Sequence, residues 1–364
     1  MIGSLQGVID RFFGRGAAAV TVPPLDGALK PNTLLEDAPE GIFGSEPDNL
    51  VALDGQPVWS EAGAVLQGVT KKTLVELDSP VTALAVSKDG TLAIATLDNG
   101  LWLREQNGSL TAPDWGAKLT CVTAMDFTQN GQLLICVGST RNSYDQWSRD
   151  LLEQNGSGLL LRVDPASGQV ETRARRLGWP NGVLADGDDA VVCIAWGKHV
   201  VRFNGSGKGR RDLIEDLPGY PARISPNGRG GYWLALFAPR SQLIEFVLRE
   251  PVYRRAMMAE VAPDLWIAPV LRSGTSFQEP MQGGALKQMG VLKPWAPTRS
   301  YGLVIELSDS FVPLRSFHSR AGGRRHGVTS VLELDGAVWA TSKGGDELVP
   351  LITPSTGRIA EGLQ

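Results

Sequence analysis

Few side chains in this sequence have the chemistry for catalysis near neutral pH. There are three histidines, His199, His318 and His326. His199 lies in a hairpin, GKHV, and His318 in a basic stretch, RSFHSR, and both read as surface residues. His326 directly precedes an apolar strand, GVTSVLEL, with Thr329 and Ser330 just inside it. An imidazole at that place suits a general base, with the two hydroxyls as hydrogen-bonding partners. No G-x-S-x-G elbow occurs, so a serine hydrolase of the common kind is not indicated. Cys121, Cys136 and Cys193 each sit among apolar residues and read as buried. With no C-x-x-C pair, the sequence offers no cysteine zinc site. Asp186, Asp188 and Asp189 lack the EF-hand spacing and fit a hairpin turn. Arg315, Arg320, Arg324 and Arg325 read as a solvated loop, or as a basic rim that attracts an acidic ligand.

The elements that must position such groups are strands. Six stretches share one plan: a polar or Pro-led start, an alternating apolar strand, a Gly-containing turn and a second apolar strand. Their starts fall at Pro47, Val81, Val122, Pro180, Pro221 and Val328. The first run of each alternates with a period of two, and turns such as DG and NG join it to the second as a hairpin. The second runs, such as LAIAT and VVCIAW, are nearly all apolar, as in strands buried on both faces. A base period of about 40 residues suits a four-stranded propeller blade. The fold expected is therefore all-β, a six-bladed β-propeller over 41–364, after an N-terminal helix and extended arm over 1–40. Two longer gaps read as partly helical insertions near 141–158 and 240–300, the second with helical spacing broken at Pro251. Trp147, Trp266 and Trp295 lie in these insertions and read either as a pocket lid or as packing.

In a closed ring the six strand starts converge at one mouth of the central channel. Here they bring together Glu46–Asn49, Thr82, Thr123, Asn181, Ala222–Arg223 and Thr329–Ser330. Polar side chains at a converging apolar mouth make a small-molecule site. Glu46, Asp48, Asn49, Asn181, Arg223 and Ser330 are the expected ligand-binding residues. His326 and Thr329 are the expected catalytic positions.

Three blocks carry a resemblance: GLLLRVDPASGQVETRARRLGWPNGVLADGDDAVVCIAW (158–196), DLPGYPARISPNGRGGYWLALFAPR (216–240) and TRSYGLVIELSDSFVPLRSFHSRAGGRRHGVTSVLELDGAVWATS (298–342). In them the chain resembles the strictosidine synthase-like propellers, in the branch with the adipocyte plasma membrane-associated proteins. More distantly it is similar to the gluconolactonase and senescence-marker-protein group and to the paraoxonases. The resemblance implies a pocket at one end of the channel and, in calcium-dependent relatives, a metal at its floor. That metal is held by an early Glu, an Asn in P-N-G and an Asp in P-D. Here P-N-G is Pro180-Asn181-Gly182, the early acid is Glu46 or Asp48 (or Asn49 takes its place), and the P-D position is Pro221-Ala222. Calcium would thus have Asn181 and Glu46 but not the second acid, because Ala222 replaces it. Calcium needs six to eight oxygens, so no cofactor is expected. Arg223 is expected to stand in for the metal charge, paired with the acid near 46–48. The glutamate that strictosidine synthases use falls on Thr329, which has no acid–base group, so that condensation is not expected.

Composition sets the outer limits. Glycine is 43 of 364 residues, above the usual share of about 7%, and hairpin turns account for the excess. Apolar residues make up 42% and the net charge is −4, which excludes a disordered chain and gives no footing for nucleic acid. No apolar run is long enough to cross a membrane. Ile2, Leu5, Ile9, Phe12 and Phe13 fall at helical spacing, which predicts an amphipathic helix over 2–14. That helix would dock on the protein itself, on a membrane surface or on a partner. With no signal peptide seen, the expected location is cytoplasmic or peripheral to a membrane. Two functions remain open: a hydrolase of a lactone or ester-like small molecule, or a non-catalytic propeller that binds a small molecule or a protein.

Overall fold

A computed structural model describes residues 22–115, 119–205, 209–274, 276, 278–280, 287–288, 291–292 and 299–352. The helix expected over 2–14, and Trp295, lie outside the described residues. The protein is a six-bladed β-propeller, each blade an antiparallel sheet of four strands. The inner strands of blades 1 to 6 are Asp48–Leu53, Val81–Val86, Val122–Phe127, Pro180–Asp186, Gly219–Pro226 and Val328–Leu334. Apolar clusters lie between neighbouring blades, as with Ala124, Leu134, Leu160, Val183 and Val192 across blades 3 and 4. The second strands Leu92–Thr96 and Leu133–Val137 are buried along their whole length, which is why they read as unbroken apolar runs. At Asp54-Gly55 and Asp335-Gly336 both central residues have positive φ. That is the hairpin turn whose twist matches the strands it joins.

The ring is closed by its own N-terminal arm. Ile42–Phe43 pairs with Glu347–Ile352 as the fourth strand of blade 6. Arg325 clamps the arm, donating to the carbonyls of Leu35, Ala38 and Pro39 and forming a two-point pair with Glu347. Arg325 is only 1% exposed, and Arg315 is tied to buried Glu306. These two therefore correct the reading of the arginine cluster as a solvated loop or ligand-attracting rim. His318 is also corrected: it is 0% exposed, between Tyr301 Oη at 3.1 Å and Ser316 Oγ at 3.0 Å.

Both insertions carry helix. Within blade 3 a 3₁₀ turn, Tyr144–Gln146, leads into a helix over Trp147–Glu153. Within blade 5 helices span Gln242–Arg249 and Pro251–Glu260. The first is capped by Ser241 Oγ, and Pro251 opens the second, where its missing N–H is harmless. Among the described residues no helix is long and apolar enough to cross a membrane.

Candidate functional site

Every inner strand shifts register against its neighbour at its first residues. The irregularities fall between Asp48 and Val51, Val81 and Ala83, Val122 and Ala124, Pro180 and Gly182, Pro221 and Ile224, and Val328 and Ser330. A bulge adds a residue to one strand and re-aims its side chain. The residues set within these bulges are Asn49, Thr82, Thr123, Asn181, Arg223 and Thr329. The polar positions that recur in the sequence are thus the bulged ones, six times over. Asn49 adopts φ 58°, a backbone state that Asn tolerates better than most residues.

At Gly182 blades 4 and 5 approach closely. A Cβ there would lie 2.3 Å from Ala222 O and 2.9 Å from Arg223 Cα. The glycine of Pro180-Asn181-Gly182 is therefore required by packing, and it lets Arg223 reach inward.

Asp48 is the centre of the arrangement and is 2% exposed. Its Oδ1 accepts from Arg223 Nη1 at 2.7 Å and from Asn49 N at 2.8 Å. Its Oδ2 accepts from Lys343 Nζ at 3.0 Å and from Tyr144 Oη at 3.2 Å. Burial by itself would raise the Asp48 pKa, but the charges of Arg223 and Lys343 outweigh it and hold the carboxyl well below its usual range. Burial likewise opposes the charge on Lys343. The Tyr144 and Asp48 oxygens overcome that and push the ammonium pKa above its ordinary value. Arg223 spends its remaining donors on Asn49 Oδ1, Thr82 O at 3.1 Å, Thr123 O at 3.0 Å and Ser330 Oγ at 3.5 Å.

Beside this cluster lies a cavity of about 40 Å³, where roughly 10–15 Å³ holds one water. Tyr144, Trp147, Trp179, Asn181, Phe237, Leu271, Thr329 and Lys343 line it. Trp147 meets Phe237 edge-on at 5.5 Å, and Trp179 stacks on Trp196 at 5.4 Å. Asp150, buried, steadies this wall by accepting from Trp196 Nε1 at 2.8 Å. Trp266 is buried away from the lining, beneath the Arg149 guanidinium.

The structure joins Asp48, Asn49, Arg223 and Ser330 in one hydrogen-bonded cluster and sets Asn181 and Thr329 in the cavity lining beside it, and two expected positions fall elsewhere. Glu46 is exposed and outside the lining, and its backbone N donates to Asp346 Oδ1 at 3.1 Å. The acid of the EPDN stretch that reaches the centre is Asp48. His326 is buried with both ring nitrogens engaged, Nδ1 with Ser300 Oγ at 2.6 Å and Nε2 with Arg320 O at 2.7 Å. Burial also lowers its pKa. No nitrogen is left for a substrate proton, which corrects its reading as a general base. Thr329 Oγ1 sits 2.9 Å from Thr341 Oγ1.

Lys343, Tyr144 and Phe237 join the site without any local motif that marks them. Lys343 follows the second strand of blade 6, Ala337–Ser342, whose end pairs with the start of the inner strand at Val328–Ser342. A hairpin leaves at the end where it begins, so residues after the second strand reach the same mouth. That geometric signal was present in the sequence pattern.

Calcium does not fit these residues. The acceptors it would need are held by the Arg223 guanidinium, and Ala222 brings no oxygen from its side chain.

No family model matches the chain. The adipocyte plasma membrane-associated protein of Homo sapiens is 26% identical over 360 residues, covering 88% of this chain and 79% of the relative. Protein STRICTOSIDINE SYNTHASE-LIKE 7 of Arabidopsis thaliana is 26% identical over 266 residues, covering 68% and 72%. Among solved structures, a Xanthomonas campestris protein described as a gluconolactonase superposes with a TM-score of 0.53 at 12% identity, over 87% of this chain and 88% of that one. That last likeness concerns the fold. The chain is a homologue of the adipocyte plasma membrane-associated and strictosidine synthase-like proteins, built on the six-bladed propeller of gluconolactonase-like structures.

Proposed function

We propose that the protein is a hydrolase of a lactone or ester-like small molecule that works without a bound metal. Lys343 carries the reading: of the described residues lining the cavity, it bears the one charged side chain. An ammonium fixed against Asp48 holds a carbonyl oxygen and takes up the negative charge that develops as water adds to the carbon. The C–O bond then breaks, the alkoxide leaves as an alcohol, and the acid releases its proton to solvent. Because its pKa is raised, Lys343 stays protonated and does not form a Schiff base. Asn181 and Thr329 offer hydrogen bonds that orient the carbonyl, and the aromatic wall takes the apolar remainder. The gluconolactonase description of the X. campestris neighbour supports the reaction class.

The test is turnover of aryl esters and lactones with EDTA and with calcium. Expected is turnover indifferent to EDTA that falls about 10²–10³-fold in Lys343→Met. A requirement for calcium overturns the metal-free mechanism.

A second reading, a propeller that binds without catalysis, is favoured by one observation. Both oxygens of Asp48 and both nitrogens of His326 are already bonded, so neither serves as a free base. Saturable binding with no turnover of any ester or lactone would establish it. An amine-plus-aldehyde assay is expected to be blank, since the described lining has no carboxylic acid. Peripheral membrane contact through the first residues is proposed alongside, in keeping with the name of the adipocyte relative. Deleting residues 1–16 and repeating a membrane fractionation tests it.

A further inference from the structure

We infer that the cavity is an anion site, selective for a small organic carboxylate with an apolar body, and that Lys343 makes the selection. The inference rests on the hydrolase reading for its location and extends it to the ligand's charge. Three ionised groups meet here: Arg223, Lys343 and Asp48. Two cations share one carboxylate, so the cluster carries one uncompensated positive charge. Arg223 is saturated by protein acceptors, whereas the Lys343 ammonium makes its one described hydrogen bond to Asp48 Oδ2 and lines the cavity. The surplus charge therefore faces the cavity through the lysine.

Two other described carboxylates bear on it, and neither forms an ion pair with Lys343. Asp150 lies behind the aromatic wall, satisfied by Trp196 Nε1, Asn142 Nδ2 and Asn155 Nδ2. Glu46 acts on the lysine only weakly, because it is exposed and solvent screens it.

Aromatic rings on several sides of a cavity are also how proteins hold quaternary ammonium ions. Here the resident ammonium already lies over the Tyr144 ring, 5.5 Å from its centroid, so a second cation would meet like charge. A carboxylate meets the opposite sign, and its carbon chain meets Trp147, Trp179, Phe237 and Leu271. Hydrolysis of a lactone or ester yields such a carboxylate at neutral pH. The site thus holds product more tightly than neutral substrate.

Calorimetric titration of the wild-type protein with hexanoate, hexanamide and hexyltrimethylammonium tests this. Hexanoate is expected to bind about tenfold tighter than hexanamide or better, through charge-assisted rather than neutral hydrogen bonding, and the ammonium ligand not to bind. The advantage of hexanoate is expected to vanish in Lys343→Met. Should that variant fail to fold, added salt on the wild type is expected to weaken hexanoate and spare hexanamide. Equal binding of acid and amide, or preference for the ammonium ligand, overturns the inference. The two readings fail separately: hexanoate preference without any turnover sinks the hydrolase, and turnover without that preference sinks the anion site.

Discussion

Lys343 Nζ lies 3.0 Å from Asp48 Oδ2, although 295 positions separate the two residues. Arg223, 175 positions from Asp48, holds the other oxygen at 2.7 Å. Blades 1, 5 and 6 are therefore joined by one carboxylate at the point where the cavity opens. The same group anchors a lysine of the cavity lining and forms part of the seam between the first and last blades.

Asp48→Asn is expected to be destabilising, by about 3 kcal/mol, because it leaves two part-buried cations without their counter-ion. Urea denaturation measures it. The pH dependence follows from the signs. The folded pKa of Asp48 is depressed, so its contribution is full above about pH 4 and is lost as pH falls below that. The folded pKa of Lys343 is raised, so its contribution is full below about pH 10 and is lost above that. Stability from the pair should form a plateau between these limits, and a slope there that Asp48→Asn removes would contradict it.

Two other groups titrate within the plateau and with opposite signs. Burial pushes His318 down to about 4, so between that value and about pH 6.5 the unfolded chain binds the extra proton. Its contribution falls as pH drops through that range. Burial pushes Asp126 up to about 6, against the hydrogen bond from Ala185 N at 2.8 Å. Its contribution therefore rises on acidification from about 6 to about 4. The wild-type curve minus that of His318→Gln should fall with acid, and minus that of Asp126→Asn should rise. At pH 7 Asp126→Asn should gain about 1–2 kcal/mol.

Gly182→Ala is expected to lose about 1–3 kcal/mol or more, since backbone rather than a flexible side chain stands 2.3 Å from the new Cβ. Calorimetry would register this as a lower melting temperature. A substitution without effect would mean that blades 4 and 5 part easily at Arg223.

Calcium in the millimolar range is expected to leave the wild-type melting temperature unchanged, because the guanidinium already occupies the acceptors. A rise at micromolar calcium would show that Arg223 gives way to metal. Arg223→Ala is expected to lower stability by several kcal/mol, as it strips acceptors in blades 1, 2 and 3 of their donor at once.

The blades were legible because each repeats a short-range pattern: alternation, a turn residue, then an apolar run. All six predicted starts fall on, or within two residues of, the first residue of an inner strand. Pro251 marked the break between two helices for the same local reason. The site was legible where it follows from the strand starts, as at Asn181 and Arg223. It was not legible where long-range packing decides. Nothing local in HGVTSV distinguishes a histidine facing the cavity from one pinned between Ser300 and Arg320. Likewise, EPDN left Glu46 and Asp48 open until a positive φ at Glu46 and the following bulge settled which acid turns inward. Nothing local in AGGRRHG marks Arg325 as buried, because its burial depends on an arm about 290 residues away.

That arm has a consequence for how the protein is made. Gly41 N donates to Glu347 Oε1 across 306 positions of sequence. At about 5–20 residues per second, a ribosome would need roughly 15–60 s to deliver the second partner after the first. Throughout that interval five blades find their strands nearby, while Ile42–Phe43 has no partner strand. The nascent chain therefore carries Ile42–Phe43 as an unpaired strand until Glu347–Ile352 has been made, and blade 6 closes only then.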